Sequence, residues 1–464
     1  MNRINLHIVD YALIAIYFFA TLFLGFYFSR KKVNSDIDNY LLAGRKISLP
    51  AFTATLVSTW YGGILGVGEF TWLYGILNWV TQALPYYLFA ILFAFVFAPK
   101  IQKSKQYTIP DLLYRHFGKK TGFMGSILVF ILVTPAPYLL MLMFFLSNVL
   151  GIPLIYGYFI AIIFSVLYVY FGGFQSVVKT DILQFVLMFV GFFVLIVMLL
   201  SHYGGFGFLQ QKLPTNHMTF TGGMGIQYVL VWFFIALWTF VDPGFYQRCY
   251  AAESPKTARN GILLAVGFWV LFDLMTTTAG LYARVLLTDV NPILAFPKLG
   301  EKVLPPFYLG IFIVGMLATV MSTLDSTVFL SAVTFGRDLL WRIRRKSNLT
   351  KYTKIGMIIS IGFSTILVVL IPSVVRMWYT LGSVVIPALI LPVVITFFKI
   401  RKYFNDWTMM SSIFFSFLAS LIWFIIGVNL GSLDMPIYLY NTQPFYIGFG
   451  VSITIILGGF IVNR

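Results

Sequence analysis

Charge is scarce in this sequence. Only 10% of its 464 residues are Asp, Glu, Lys or Arg, while 59% are hydrophobic. A soluble domain carries roughly 25% charged residues, so this balance excludes a water-facing globule and marks a polytopic membrane protein. Cysteine is almost missing: Cys249 stands alone, and an intrachain disulfide is impossible. Histidine is nearly as rare. His7, His116, His202 and His217 all fall at or outside the edges of the apolar runs, so no zinc ligand set and no Ser-His-Asp constellation is visible. Low-complexity tracts and long linkers are lacking too, and residues 1–464 read as one integral membrane domain.

What the chain has instead is apolar runs. A span needs about 20 apolar residues. Thirteen segments qualify: 8–29, 49–75, 77–98, 122–149, 153–171, 179–201, 225–248, 260–285, 304–337, 353–373, 376–398, 407–429 and 443–462. The first run, Ile8 to Phe28, is longer than a signal-peptide core and has no small-residue cleavage site. It reads as a retained helix, followed by Arg30, Lys31 and Lys32. An odd number of spans puts the two termini on opposite sides. With the N-terminus outside, 26 of the 32 basic residues fall on the inner side, Arg248, Arg337, Arg345, Lys346 and Arg464 among them. The positive-inside rule therefore sets the N-terminus outside and the C-terminus in the cytoplasm of a plasma-membrane protein. The net charge of +17 is accounted for by these scattered anchors. They form no basic face, which argues against a nucleic-acid partner.

Gly315 to Asp338 is the most unusual stretch. It continues an apolar run, yet carries Thr319, Ser322, Thr323, Asp325, Ser326 and Thr327 within three turns. On a helix, Thr319, Ser322, Thr323 and Ser326 share one face, with Asp325 on its flank. Hydroxyls alone would back-bond to their own helix. With a carboxylate beside them, an oxygen-lined site for a hard cation is the better reading.

Two spans are poor continuous helices. Residues 49–75 contain Gly62, Gly63, Gly66 and Gly68 beside Ser58 and Thr59; residues 225–248 contain Asp242-Pro243-Gly244. Glycine clusters can mark close helix packing. Two breaks five helices apart instead predict paired discontinuous helices at a transport site. The expected architecture is all-α: a leading helix (8–29), two inverted five-helix repeats (49–201 and 225–398) whose first helices are discontinuous, and two trailing helices (407–462). Glu69, Asp181, Asp242, Asp273 and Asp325 lie within spans, where carboxylates are costly. Asp181 pairs with an inner basic residue or serves an ion. Asp242 caps a half-helix or faces solute. Glu69 faces a vestibule or a substrate. Asp273 needs a partner that the sequence does not name. Trp60, Tyr61, Trp72, Tyr74 and Trp238 near the breaks are expected to wall a pocket or to pack in the core.

Four motifs taken in order resemble the sodium:solute symporter family. They are Asn39-Tyr40-Leu41-Leu42-Ala43-Gly44-Arg45, the segment Gly172 to Gln184, Gln247-Arg248 with Ala251-Ala252, and Met321-Ser322-Thr323-Leu324-Asp325-Ser326. The resemblance covers essentially the whole chain and implies the LeuT-type inverted-repeat fold. It implies a Na⁺ site made by the hydroxyls of Ser322 and Thr323 with main-chain carbonyls near Leu56, Thr59 and Thr319. It also implies a second Na⁺ site at Asp181, Ser322, Asp325 and Ser326. Asp325 stands where members often have a hydroxyl residue, and Thr319 where they often have a smaller one. Trp60, Tyr61, Glu69, Trp238 and Asp242 are the substrate-binding candidates.

The function expected is Na⁺-coupled import of a small polar solute by alternating access, with no covalent chemistry and no obligate protein partner. Proton coupling through Asp181 and Asp325 is the alternative within the same fold. A non-transporting membrane sensor is a more distant one; the chain ends at Arg464 directly after its last span.

Overall fold

A computed structural model describes residues 3–29, 37–344, 348–433 and 436–463. The predicted anchors Arg30, Lys31, Lys32, Arg345, Lys346 and Arg464 lie outside the described residues. The helices that position the site are α1 (Ile8–Ser29), α2 (Leu49–Trp60), α3 (Ile64–Tyr74), α4 (Leu84–Val96), α5 (Ile109–His116), α6 (Lys119–Leu132), α7 (Ala136–Leu150) and α8 (Leu154–Tyr203). They continue as α9 (Ile226–Ile235), α10 (Pro243–Ala251), α11 (Pro255–Leu286), α12 (Tyr308–Val333), α13 (Leu349–Leu370), α14 (Val374–Ile395), α15 (Asp406–Leu430) and α16 (Pro444–Asn463). Among the described residues there is no β-strand beyond one bridge, Ile47 to Ala252.

Eleven helices among the described residues are long and apolar enough to cross a membrane. The expected thirteen spans map onto these eleven with two differences of counting. Residues 49–75 form two shorter helices, α2 and α3, joined by a 3-10 turn at Tyr61–Gly63. Residues 153–171 and 179–201 both lie in α8, which is two helices meeting at a kink where Gly173 is non-helical (φ 60°, ψ −150°). A side chain at Gly173 would be strained by its φ and would stand 2.5 Å from the Tyr40 carbonyl oxygen.

Burial separates the centre from the rim. The span containing α12 is 89% buried, against 33% for α1 and 22% for each of α15 and α16. α12 is thus the axis around which the others pack, while Phe19, Phe193, Phe415 and Ile461 are left exposed for lipid. That placement is what a small-and-hydroxyl helix allows: Gly191 of α8 and Gly315 of α12 meet so closely that a Cβ on Gly191 would lie 3.1 Å from the Gly315 Cα. The second break lies between α9 and α10. A 3-10 turn spans Ala236–Phe240, and Asp242 is extended (φ −74°, ψ 114°) before Pro243 restarts the helix. The segment leading into α2 and the end of α10 are tied by backbone bonds, Ile47 N to Ala251 O (3.0 Å) and Glu253 N to Ile47 O (3.1 Å).

The basic residues are not all surface anchors. Arg248, counted with the inner side from sequence, is fully buried on α10, because the helix restarted by Pro243 is still inside the protein. Arg337 is also buried, in the π-turn Thr334–Trp341 that follows α12. It meets Asp111 of α5 (2.8 Å) and Asp338 (2.5 Å), and Arg342 pairs with Asp111 as well. The Tyr107 ring has the guanidinium carbons of Arg45 and Arg337 at 4.7 and 4.6 Å from its centroid. This cluster joins the lead-in to α2, the start of α5 and the end of α12. Burial pushes the Asp111 carboxyl up, but Arg337 and then Arg342 outweigh it and hold it below the ordinary carboxylate value. A depressed carboxyl contributes stability above the unfolded value of about 3.9 and loses it as pH falls through the lower folded value. Asp111→Asn should therefore lower stability at neutral pH by about 3 kcal/mol, since it leaves two guanidinium groups short of a partner. It should also flatten the acid limb of a stability-against-pH curve measured in detergent; an unchanged limb would refute the assignment.

Candidate ion and solute site

α12 presents its hydroxyl face to the broken helix α2–α3 and to the second half of α8. Ser322 Oγ donates to Asp181 Oδ1 at 2.6 Å and lies 3.0 Å from Ser58 Oγ. Thr323 Oγ1 donates to the Thr59 carbonyl at 2.7 Å and lies 3.5 Å from that of Thr319. Thr319 Oγ1 back-bonds to the Gly315 carbonyl (2.7 Å), the ordinary role of a helical threonine, so only its carbonyl is offered to the cluster. The approach depends on Gly62, where a Cβ would stand 2.2 Å from Thr323 Cβ. Thr59, Thr319, Ser322 and Thr323 are thus brought together. Leu56 lies one turn before Thr59 and lines the adjoining cavity. The donor set is all oxygen, mixing hydroxyls with carbonyls, which suits a hard alkali cation.

Asp181 and Ser326 meet a different group. Arg248 Nη2 donates to Thr59 Oγ1 (2.6 Å), Thr55 Oγ1 (3.0 Å) and Ser326 Oγ (3.0 Å), and lies 3.6 Å from Asp181 Oδ2. Thr55 Oγ1 in turn donates to Asp181. Asp325 is turned away from this group: Tyr168 OH on the first half of α8 donates to its Oδ2. Of the second predicted ion set, Asp181, Ser322 and Ser326 surround one region while Asp325 faces another, and a guanidinium stands between Asp181 and Ser326.

Beside these oxygens, between the two helix breaks, lies a cavity of about 170 Å³. Trp60, Tyr61, Trp238 and Asp242 line it; Glu69 does not. Glu69 stands on α3, and Trp72 and Tyr74 of the same helix are likewise outside the cavity lining. Trp60 also packs against Trp269 and Tyr86, each at 4.9 Å between ring centroids, so its pocket and packing roles coexist. Asp242 Oδ1 accepts from Gly244 N (2.6 Å) and Phe245 N (3.3 Å). That is the helix-capping alternative, with the carboxylate at the positive end of α10. Asp273 finds the partner that the sequence did not name: Tyr87 OH on α4 donates to its Oδ2 at 2.5 Å.

Sequence reasoning missed Arg248, Tyr87, Tyr168 and Thr55 as site residues. For Arg248 a signal existed. It follows Pro243 by five residues, so a helix restarted at membrane depth keeps it there. The tyrosines carried none, because aromatics make up 19% of the chain and single ones do not stand out.

The profile of the sodium:solute symporter family matches residues 40–424. The human sodium/myo-inositol cotransporter is 25% identical over 441 residues, covering 81% of this chain and 60% of its own length. A sodium/glucose cotransporter of Vibrio parahaemolyticus is 24% identical over 391 residues, covering 72% of this chain and 69% of its own. Against the human relative, then, the chain spans about 60% of the length of the protein it matches. Among solved structures, a Na⁺-coupled sialic acid symporter superposes with a TM-score of 0.80 at 17% identity, over 99% of this chain and 98% of that one. A nucleobase-cation-symport-1 transporter follows at 0.59 and 12%, over 94% and 96%. These likenesses establish the LeuT-type fold that the family resemblance implied.

The buried pair gives a test of its own. Arg248→Gln leaves Asp181 without its counter-charge and should cost about 3–5 kcal/mol. Adding Asp181→Asn should recover part of that loss in a double-mutant cycle of unfolding in detergent. Strictly additive losses would show that the two side chains do not act as a pair.

Proposed function

Since the chain belongs to the sodium:solute symporter family, we propose that it is a secondary active transporter that couples downhill entry of Na⁺ to import of a small polar solute. The observation that carries this reading is the convergence of Ser322, Thr323, Thr59 and Thr319 oxygens where α12 meets the break in α2–α3. Na⁺ is cargo there, held by the Ser322 and Thr323 hydroxyls and the carbonyls of Leu56, Thr59 and Thr319. Its chemistry suits the place: the Thr59 carbonyl lies at the break, and a cation at membrane depth needs such oxygens in place of water.

The coupling follows from geometry. The ion site and the cavity share Thr59, Thr323 and Leu56, so Na⁺ joining α12 to α2 also fixes one wall of the solute pocket. A solute then binds more tightly with Na⁺ present, and by linkage Na⁺ binds more tightly with solute. Closing one side and opening the other requires the two sets of helices to move against each other, with the Arg337–Asp111 cluster as an inner-side contact that such a motion must rearrange. The second ion set reads here as carrying an internal cation, Arg248, between Asp181 and Ser326, so one Na⁺ per cycle is the proposed stoichiometry. The basic residues support a plasma-membrane protein with its N-terminus outside. The relatives named for myo-inositol and glucose support a hydroxyl-rich or otherwise polar solute of that size.

Ser322→Ala with Thr323→Ala should reduce solute uptake into proteoliposomes under a Na⁺ gradient to the level seen without Na⁺, with the protein still folded and inserted. Uptake that the double variant retains in full, or that a pH gradient alone drives in the wild type, would contradict sodium coupling at this site.

A further inference from the structure

Asp273 is the cavity-lining carboxylate that neither the ion site nor the helix caps absorb. It stands midway along α11, lines the cavity and is 7% exposed. Its described hydrogen-bond donor is a tyrosine, Tyr87. Among the described residues no Lys, Arg or His forms an ion pair with it. The other charges at the cavity are committed. Asp242 is held by two amides of α10, and Arg248 is wholly buried and engaged with Asp181, Thr55, Thr59 and Ser326. Much of the remaining wall is aromatic, with Trp60, Tyr61, Tyr86, Trp238 and Trp378 around the same space beside aliphatic side chains and the amides of Asn78 and Gln82.

A carboxylate at membrane depth is costly without an opposite charge. A neutral polyol would satisfy its hydrogen-bonding capacity and leave its charge uncompensated. An ammonium group would supply the charge and rest on the aromatic faces, whose quadrupoles attract cations. We propose that the transported solute is an organic cation bearing an amine or methylated ammonium group, and that Asp273 is its counter-ion within the aromatic-walled cavity. This rests on reading the cavity as the solute site.

The test uses the full-length protein in detergent with Na⁺, read by thermal stability and tryptophan fluorescence. The probes are choline, ethanolamine and putrescine, the uncharged choline isostere 3,3-dimethylbutan-1-ol, and myo-inositol. At least one cation should stabilise the protein, more so with Na⁺ than with K⁺, and the uncharged isostere should not. Asp273→Asn should weaken that cation's binding by about tenfold or more while keeping the stabilisation due to Na⁺ alone, and Asp273→Glu should keep part of the affinity. The proposal is overturned if no cation stabilises the wild type, if the isostere or myo-inositol does so equally, or if Asp273→Asn binds the cation as the wild type does. A wild type whose melting point ignores Na⁺ would instead count against sodium coupling, and reads out separately.

Discussion

The structure turns on one contact: the Thr323 hydroxyl of α12 reaching the Thr59 carbonyl at the break in α2–α3. A helix inside a bilayer cannot leave carbonyls facing hydrocarbon, so a break is tolerated only where something polar meets it. α12 supplies that polar face, and Gly62 lets it approach, because any side chain there would collide with Thr323. The most buried helix is accordingly the one that carries the hydroxyls. Stability and function draw on the same atoms here: the oxygens that make the break tolerable are those able to hold an ion.

Charge follows the same economy of position. The membrane interior holds few ionisable groups, and most of those in spans are answered locally. Asp181 faces Arg248, Asp242 caps α10, and Asp325 accepts from Tyr168. Beyond the end of α12, Asp111 gathers Arg337 and Arg342. An arginine between Asp181 and Ser326 offers a fixed positive charge that costs nothing to recruit from solution, whereas an ion must be bound and released in every cycle. In the function proposed, the two regions flanking Thr59 differ in kind, one holding a permanent charge and the other an exchangeable one.

Much of this was legible in the sequence. The hydroxyl face of α12 follows from helical spacing, and both breaks follow from glycine and proline chemistry that no membrane helix carries without a local reason. The Asp242 cap was foreseen as one of two readings. What stayed hidden was pairing at a distance. Arg248 was read as an inner-side anchor because a basic residue near the end of an apolar run usually is one, and only the chain path shows it turned inward to Asp181. Tyr87 and Tyr168 are indistinguishable in sequence from lipid-facing or core aromatics, so the partners of Asp273 and Asp325 needed coordinates. The separation of 153–171 from 179–201 was legible too, since Gly172 and Gly173 lie between the two runs and Gly173 is where α8 kinks.

The most direct test of the central claim is a high-resolution density map of the protein prepared in Na⁺, compared with one prepared in K⁺. The account predicts a compact density peak in Na⁺ alone, ringed by the Ser322 and Thr323 hydroxyls and the carbonyls of Leu56, Thr59 and Thr319. Identical maps, with no peak in either and the Thr323–Thr59 contact unchanged, would contradict it.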